Sequence, residues 1–140
     1  MDEAKVREKY LELQMVAEQV KQMQSQLQTV ALKKHELSQN IESLGEISGL
    51  GPSTMLVPVI EGVFVKAMST SPNEVIVNVG AGVCVKKTVE EARELLNGKL
   101  AELAQFERDM VDEIGKGAES VNSLERELSG MIESAEQKNV

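Results

Sequence analysis

Aromatic side chains are almost missing from this chain. Tyr10, Phe64 and Phe106 are the only three in 140 residues, and tryptophan does not occur. Enclosed ligand pockets lean on aromatic area, so a compact enzyme with a deep pocket is a poor fit. Cysteine occurs once, at Cys84, which excludes an internal disulfide. It has no histidine near it in sequence and sits in an apolar, strand-like stretch, so it reads as a buried structural thiol. Histidine also occurs once. His35 has no Cys or carboxylate set at metal-ligand spacing and reads as a solvated residue. Cationic residues are in deficit, 15 against 23 acidic, for a net charge of −8. Phosphate-backbone binding draws on clustered Lys and Arg, so a nucleic-acid partner is not expected. Docking on an anionic membrane is not expected either. No apolar run approaches the roughly 20 residues of a membrane span. The N-terminal MDEAKVREKY is charged and lacks the apolar core of a secretory signal. The expectation is a soluble, cytoplasmic protein of one domain.

Glycine and proline are absent before Gly45. Over that length the apolar positions step by alternating threes and fours: Leu13, Val16, Val20, Met23, Leu27, Val30, Lys34, Leu37, Ile41 and Leu44. An average spacing of 3.5 keeps one seam facing a partner helix. The seam is too narrow for a globular core. Val6 and Tyr10 fall outside the strict register, with Tyr10 beside the seam. They read as either a frayed helix end or an apolar tip. The helix is expected to stop near Gly45, where GEISGLGPST concentrates glycine and proline.

The middle of the chain changes period. TMLVPVIEGVFVKAMSTSPNEVIVNVGAGVCVKKT alternates valine with other residues, the signature of strands. Four strands are predicted, over 54–59, 62–68, 74–79 and 83–87. The turns are short, so the strands form two successive antiparallel hairpins. Pro58 places the first strand at an edge. Val75, Val77, Val79, Val83 and Val85 share a face, opposite Asn78, Cys84 and Lys86. Here Glu46, Glu61 and Glu74 balance Lys66, Lys86 and Lys87, so the acidic excess lies in the flanking arms. A small, neutral, apolar sheet with open edges should pair with other chains. The residues expected to carry that pairing are Val57, Val59, Val63, Val65, Val75, Val77, Val79, Val83 and Val85.

Thr88-Val89-Glu90-Glu91 is a capping box that opens a second helix. Its seam runs Leu96, Leu100, Leu103, Glu107, Met110, Ile114, Gly117, Val121, Leu124, Leu128, Met131 and Ala135. Gly115 and Gly117 read either as a soft point within it or as glycines tolerated in a paired helix. Two arms of similar length on either side of two hairpins should pair antiparallel. Each is on the order of 65 Å long at the helical rise. Val6, Tyr10, Met131 and Ile132 would then meet at the end that carries both termini. The regions expected are a helix over 1–45, a linker and two hairpins over 46–88, and a helix over 89–140. The fold class is α+β: a long antiparallel coiled-coil hairpin with two central β-hairpins.

No catalytic constellation emerges. Gly80-Ala81-Gly82 resembles the start of a dinucleotide fingerprint, but position 85 is Val and a strand follows, so it reads as a turn. Glu90 and Glu91 belong to a helix start, where the dipole favours them.

The order of helix, two hairpins and helix resembles the alpha class of the prefoldin family. The most specific stretches are TMLVPVIEGVFVKA and EVIVNVGAGVCVKKTVEEA, with a Leu-Val-Pro strand, an apolar-Lys second strand and a Val-Gly-x-Gly turn. The family often has an acidic residue where Lys86 or Lys87 stands. The resemblance implies a hetero-hexamer of two alpha and four beta subunits, whose hairpins join an oligomeric β-barrel. It implies an ATP-independent chaperone that holds unfolded protein at coiled-coil tips and passes it to a group II chaperonin. It implies no catalytic residues, no cofactor and no metal. Client contact would fall on Val6, Tyr10, Leu13, Leu128, Met131 and Ile132. The alternative is a structural coiled-coil scaffold or tether subunit with no client-binding role.

Overall fold

Both heptad stretches fold as single helices. The computed structural model describes residues 2–70 and 73–138. In order, it contains α1 (Asp2–Gly49), β1 (Thr54–Ile60), β2 (Val63–Met68), β3 (Glu74–Gly80), β4 (Val83–Thr88) and α2 (Val89–Lys138). The chain divides into two compact units, residues 1–32 with 104–140, and residues 33–103.

In the first unit the helices run antiparallel. Lys9 of α1 reaches Glu127 of α2, and Val20 lies against Gly117. Val30, Met110 and Leu124 are buried, and the other seam residues of this unit are half-buried. The seam also continues past Leu13. Lys9 and Val6 are half-buried at the next steps of four and three, whereas Tyr10 is exposed. Val6 is therefore in register after all. A polar residue at position 9 interrupts the apolar pattern without interrupting the geometry.

Gly117 has a packing role. A Cβ built there would stand 2.5 Å from Val20 Cγ2, so the missing side chain lets α1 approach. Gly115 has nothing within 4 Å of the same hypothetical atom. The helix is continuous through both glycines.

In the second unit α1 runs four residues beyond the expected stop at Gly45. One interior glycine costs a helix only about 1 kcal/mol relative to alanine. Gly45 also leaves room for the Arg93 guanidinium, whose Cζ would lie 3.3 Å from an added Cβ. The helix ends instead over Gly49–Gly51. The Leu50 amide donates to the Ile47 carbonyl (3.2 Å), and Gly51 turns the chain at φ +67°. Before that end, the Ser48 hydroxyl donates to the Gly45 carbonyl (2.8 Å).

The hairpins are separate two-stranded antiparallel sheets, β1–β2 and β3–β4. They repeat each other at a constant offset of 20 residues. Thr54 pairs with Met68 and Glu74 with Thr88; Val57 pairs with Val65 and Val77 with Val85. Each carries a bulge one residue before its turn, between Pro58 and Ile60 and between Asn78 and Gly80. Each ladder gains a further bond at its base, Ser69 N–H to the Ser53 carbonyl and Val89 N–H to the Asn73 carbonyl, both 3.0 Å. In the second turn Ala81 and Gly82 both have positive φ, 52° and 75°. Such a turn matches the twist of the strands it joins. Asn78 Oδ1 accepts from the Gly80 amide at 2.9 Å and holds the entry to it.

The cap on α2 forms in part as expected. The Glu91 amide donates to Thr88 Oγ1 (3.1 Å), and the Thr88 hydroxyl donates to Glu91 Oε1 (3.2 Å). Directly after it, Val89 and Ala92 are buried.

Two candidate functional surfaces

The first surface is the pair of hairpins. Strands built from alternating valine normally bury one face against something. Here Val57, Val59, Val63, Val65, Val79 and Val83 are exposed, and Val75, Val77 and Val85 are only half-buried. The other face of the first hairpin is apolar too. Leu56, Phe64 and Met68 are 57–69% exposed. At the equivalent positions of the second hairpin stand Ile76, Cys84 and Thr88. A monomer rarely leaves so much contiguous apolar area uncovered. Cys84 is exposed, contrary to the buried thiol expected from sequence. The described residues of its own chain do not cover this strand.

The second surface lies in the other unit, where the first turns of α1 meet the last turns of α2. Val6, Tyr10, Ile132 and Ala135 line an open groove of about 670 Å³, rimmed by Glu3, Arg7, Glu136 and Lys138. Tyr10 is 50% and Ile132 is 44% exposed. The Gln14 side-chain amide donates to the Tyr10 hydroxyl at 3.2 Å, so the ring's polar end has a partner while its body stays open. Of the six expected contact residues, the groove brings together Val6, Tyr10 and Ile132. Leu13, Leu128 and Met131 are half-buried seam residues instead. Met131 also lines a shallow depression with Glu127, Gly130 and Ser134. The charged rim was not anticipated from sequence. The signal was available, because Glu3, Arg7 and Tyr10 share a helix face, as do Ile132 and Glu136.

Just inside the groove, Lys9 Nζ lies 2.9 Å from Glu127 and 3.8 Å from Glu12. The hydrogen bond that Lys9 donates to Glu127, and then the charge of Glu127, raise the Lys9 pKa above its ordinary value against an opposing effect of burial; Glu12 and Glu8 add to the rise.

Among the described residues no group of three or more His, Cys, Asp or Glu side chains could hold a metal ion. No described helix is long and apolar enough to cross a membrane. His35 is exposed, as expected.

Known proteins share this arrangement. The sequence matches the prefoldin subunit family over residues 16–133. It is 31% identical over 122 residues to prefoldin subunit alpha of Methanosarcina acetivorans, covering 86% of each chain. It is 26% identical over 132 residues to prefoldin subunit alpha of Methanococcus aeolicus, covering 94% of this chain and 90% of that one. In three dimensions it is similar to a chain from a cryo-EM structure of filamentous PFD from Methanocaldococcus jannaschii. The TM-score is 0.75 at 20% identity, over 84% of this chain and 98% of the other. On the extent of these matches, the chain belongs to the prefoldin family and to its alpha class.

Proposed function

We propose that the chain captures unfolded protein at the groove between its helix ends, without ATP, while its hairpins join it to other subunits. Membership of the prefoldin alpha class supports a chaperone-type subunit. The finer reading is a hetero-hexamer of two alpha and four beta subunits, built through a β-barrel of hairpins, that passes its clients to a group II chaperonin. One observation carries the capture step: Val6, Tyr10, Ile132 and Ala135 form an open apolar groove ringed by charge. An unfolded chain presents scattered apolar side chains. Weak contacts from several subunits held together add up through effective concentration.

The test uses the assembled complex and a denatured, aggregation-prone protein. Without ATP, the complex should suppress light scattering. Removing residues 1–10 and 129–140 should abolish suppression and leave assembly intact. Equal protection by the truncated complex would contradict capture at the helix ends. The second reading is a structural scaffold, and it draws on the filamentous form named for the similar structure. It predicts no suppression by either complex.

A further inference from the structure

Position 9 is a seam position occupied by a charge. On its inner side, the seam layers from Leu13 onward are mostly apolar. On its outer side lie Val6, Met131 and Ala135, all half-buried, beside the exposed Tyr10 and Ile132 of the groove. Lys9 keeps its aliphatic stem in the seam and delivers its ammonium group to Glu127 on the other helix, with 36% and 50% of the two side chains exposed. The two kinds of layer respond oppositely to salt. An exposed ion pair is screened as ionic strength rises, whereas apolar contact is not.

We propose that Lys9 is a positioning residue for the terminal groove: its pair with Glu127 sets how far the helix ends beyond it stay closed, and so makes capture depend on ionic strength. This rests on the reading of the groove as the capture site. When the pair holds, a client meets the groove lined by Val6, Tyr10, Ile132 and Ala135. When it is screened, the ends part more often, and Met131 with the covered sides of Val6 and Ala135 joins the apolar surface. Glu12 and Glu8 on the same helix add negative charge near Lys9, but neither ties it to α2.

The test compares Lys9→Leu, Lys9→Arg and Glu127→Gln with the parent chain in the assembled complex. Hydrogen exchange of amides 130–137 reports closure. Fluorescence reports binding of a dansyl-labelled, uncharged, unfolded peptide rich in leucine and serine. From low to high salt the parent should gain affinity and exchange by about two- to fivefold, the scale of one exposed ion pair. Lys9→Leu should stay closed and bind weakly at both salts. Glu127→Gln should be open and bind more tightly at both salts. Lys9→Arg should behave as the parent. Exchange that ignores salt in the parent, or equal shifts of the same sign in Lys9→Leu and Glu127→Gln, would overturn the proposal. If exchange follows the prediction while binding is unaffected by every variant and by end truncation, the capture site itself has been misassigned and the positioning role of Lys9 still stands.

Discussion

Gly115 and Gly117 are two residues apart in one helix, yet they have opposite roles. Gly117 faces Val20 so closely that a methyl group would overlap a stiff, β-branched side chain. Gly117→Ala should destabilise the coiled coil by about 1–3 kcal/mol, the usual cost of overpacking. Gly115→Ala meets open space and should stabilise it by about 1 kcal/mol. Urea melts of the two variants, followed by circular dichroism, should therefore move in opposite directions. The sequence places Gly117 in the seam but cannot show how near the other helix comes. That distance depends on the pairing offset of the two helices, and heptad spacing alone leaves the offset open. Lys9 has the same origin. Its position obeys the seam period, but its polarity hides it until Glu127 is seen opposite. Its raised pKa means its contribution is fully present below 10.5 and is lost as pH rises through the folded value. Melting temperatures of the parent and Lys9→Leu should thus differ by a constant amount between about pH 6 and 9.

The elements were largely legible because each one obeys a strong local rule. Alternating threes and fours gave both helices, and Thr88 with Glu91 marked the start of α2. Thr88→Ala should lower stability by about 1 kcal/mol through loss of the bond to the Glu91 amide. In the second hairpin the turn asks for positive φ at both central residues, and Ala81 provides one of them against its preference. Ala81→Asn creates the favoured Asn-Gly pair and should raise the melting temperature. A fall would mean that Ala81 is held by contacts from another chain. The end of α1 was less legible. Gly45 looked like a terminator because glycine usually is one at such a place, but Arg93 comes from a residue 48 positions later and only the fold brings it near. The terminal groove was half legible for the same reason. Val6, Tyr10 and Ile132 follow from antiparallel pairing, and Glu3, Arg7 and Glu136 from the helix faces they share with Tyr10 and Ile132, while Lys138 depends on how the last turns pack.

For the molecule as a whole, the hairpins matter most as surfaces left without a covering. Apart from Val75, whose counterpart is Met55, their valines recur at equivalent positions of the 20-residue repeat, and among the described residues nothing buries them fully. On the proposed reading other subunits do so, and each chain presents two similar hairpins for the purpose. Val77→Asp would place a charge on that shared face. The complex should dissociate in sizing experiments while circular dichroism keeps its helical signal. An unchanged mass would mean that the valine face is not the subunit contact. The same reading assigns clients to the other compact unit, at the groove between the helix ends. The most direct measurement is site-specific photo-crosslinking in the assembled complex, with the probe at Tyr10 or at Val79, during incubation with a denatured protein and no ATP. Capture at the helix ends predicts client adducts from position 10, with position 79 linking only to neighbouring subunits. Client adducts from position 79 and none from position 10 would contradict it.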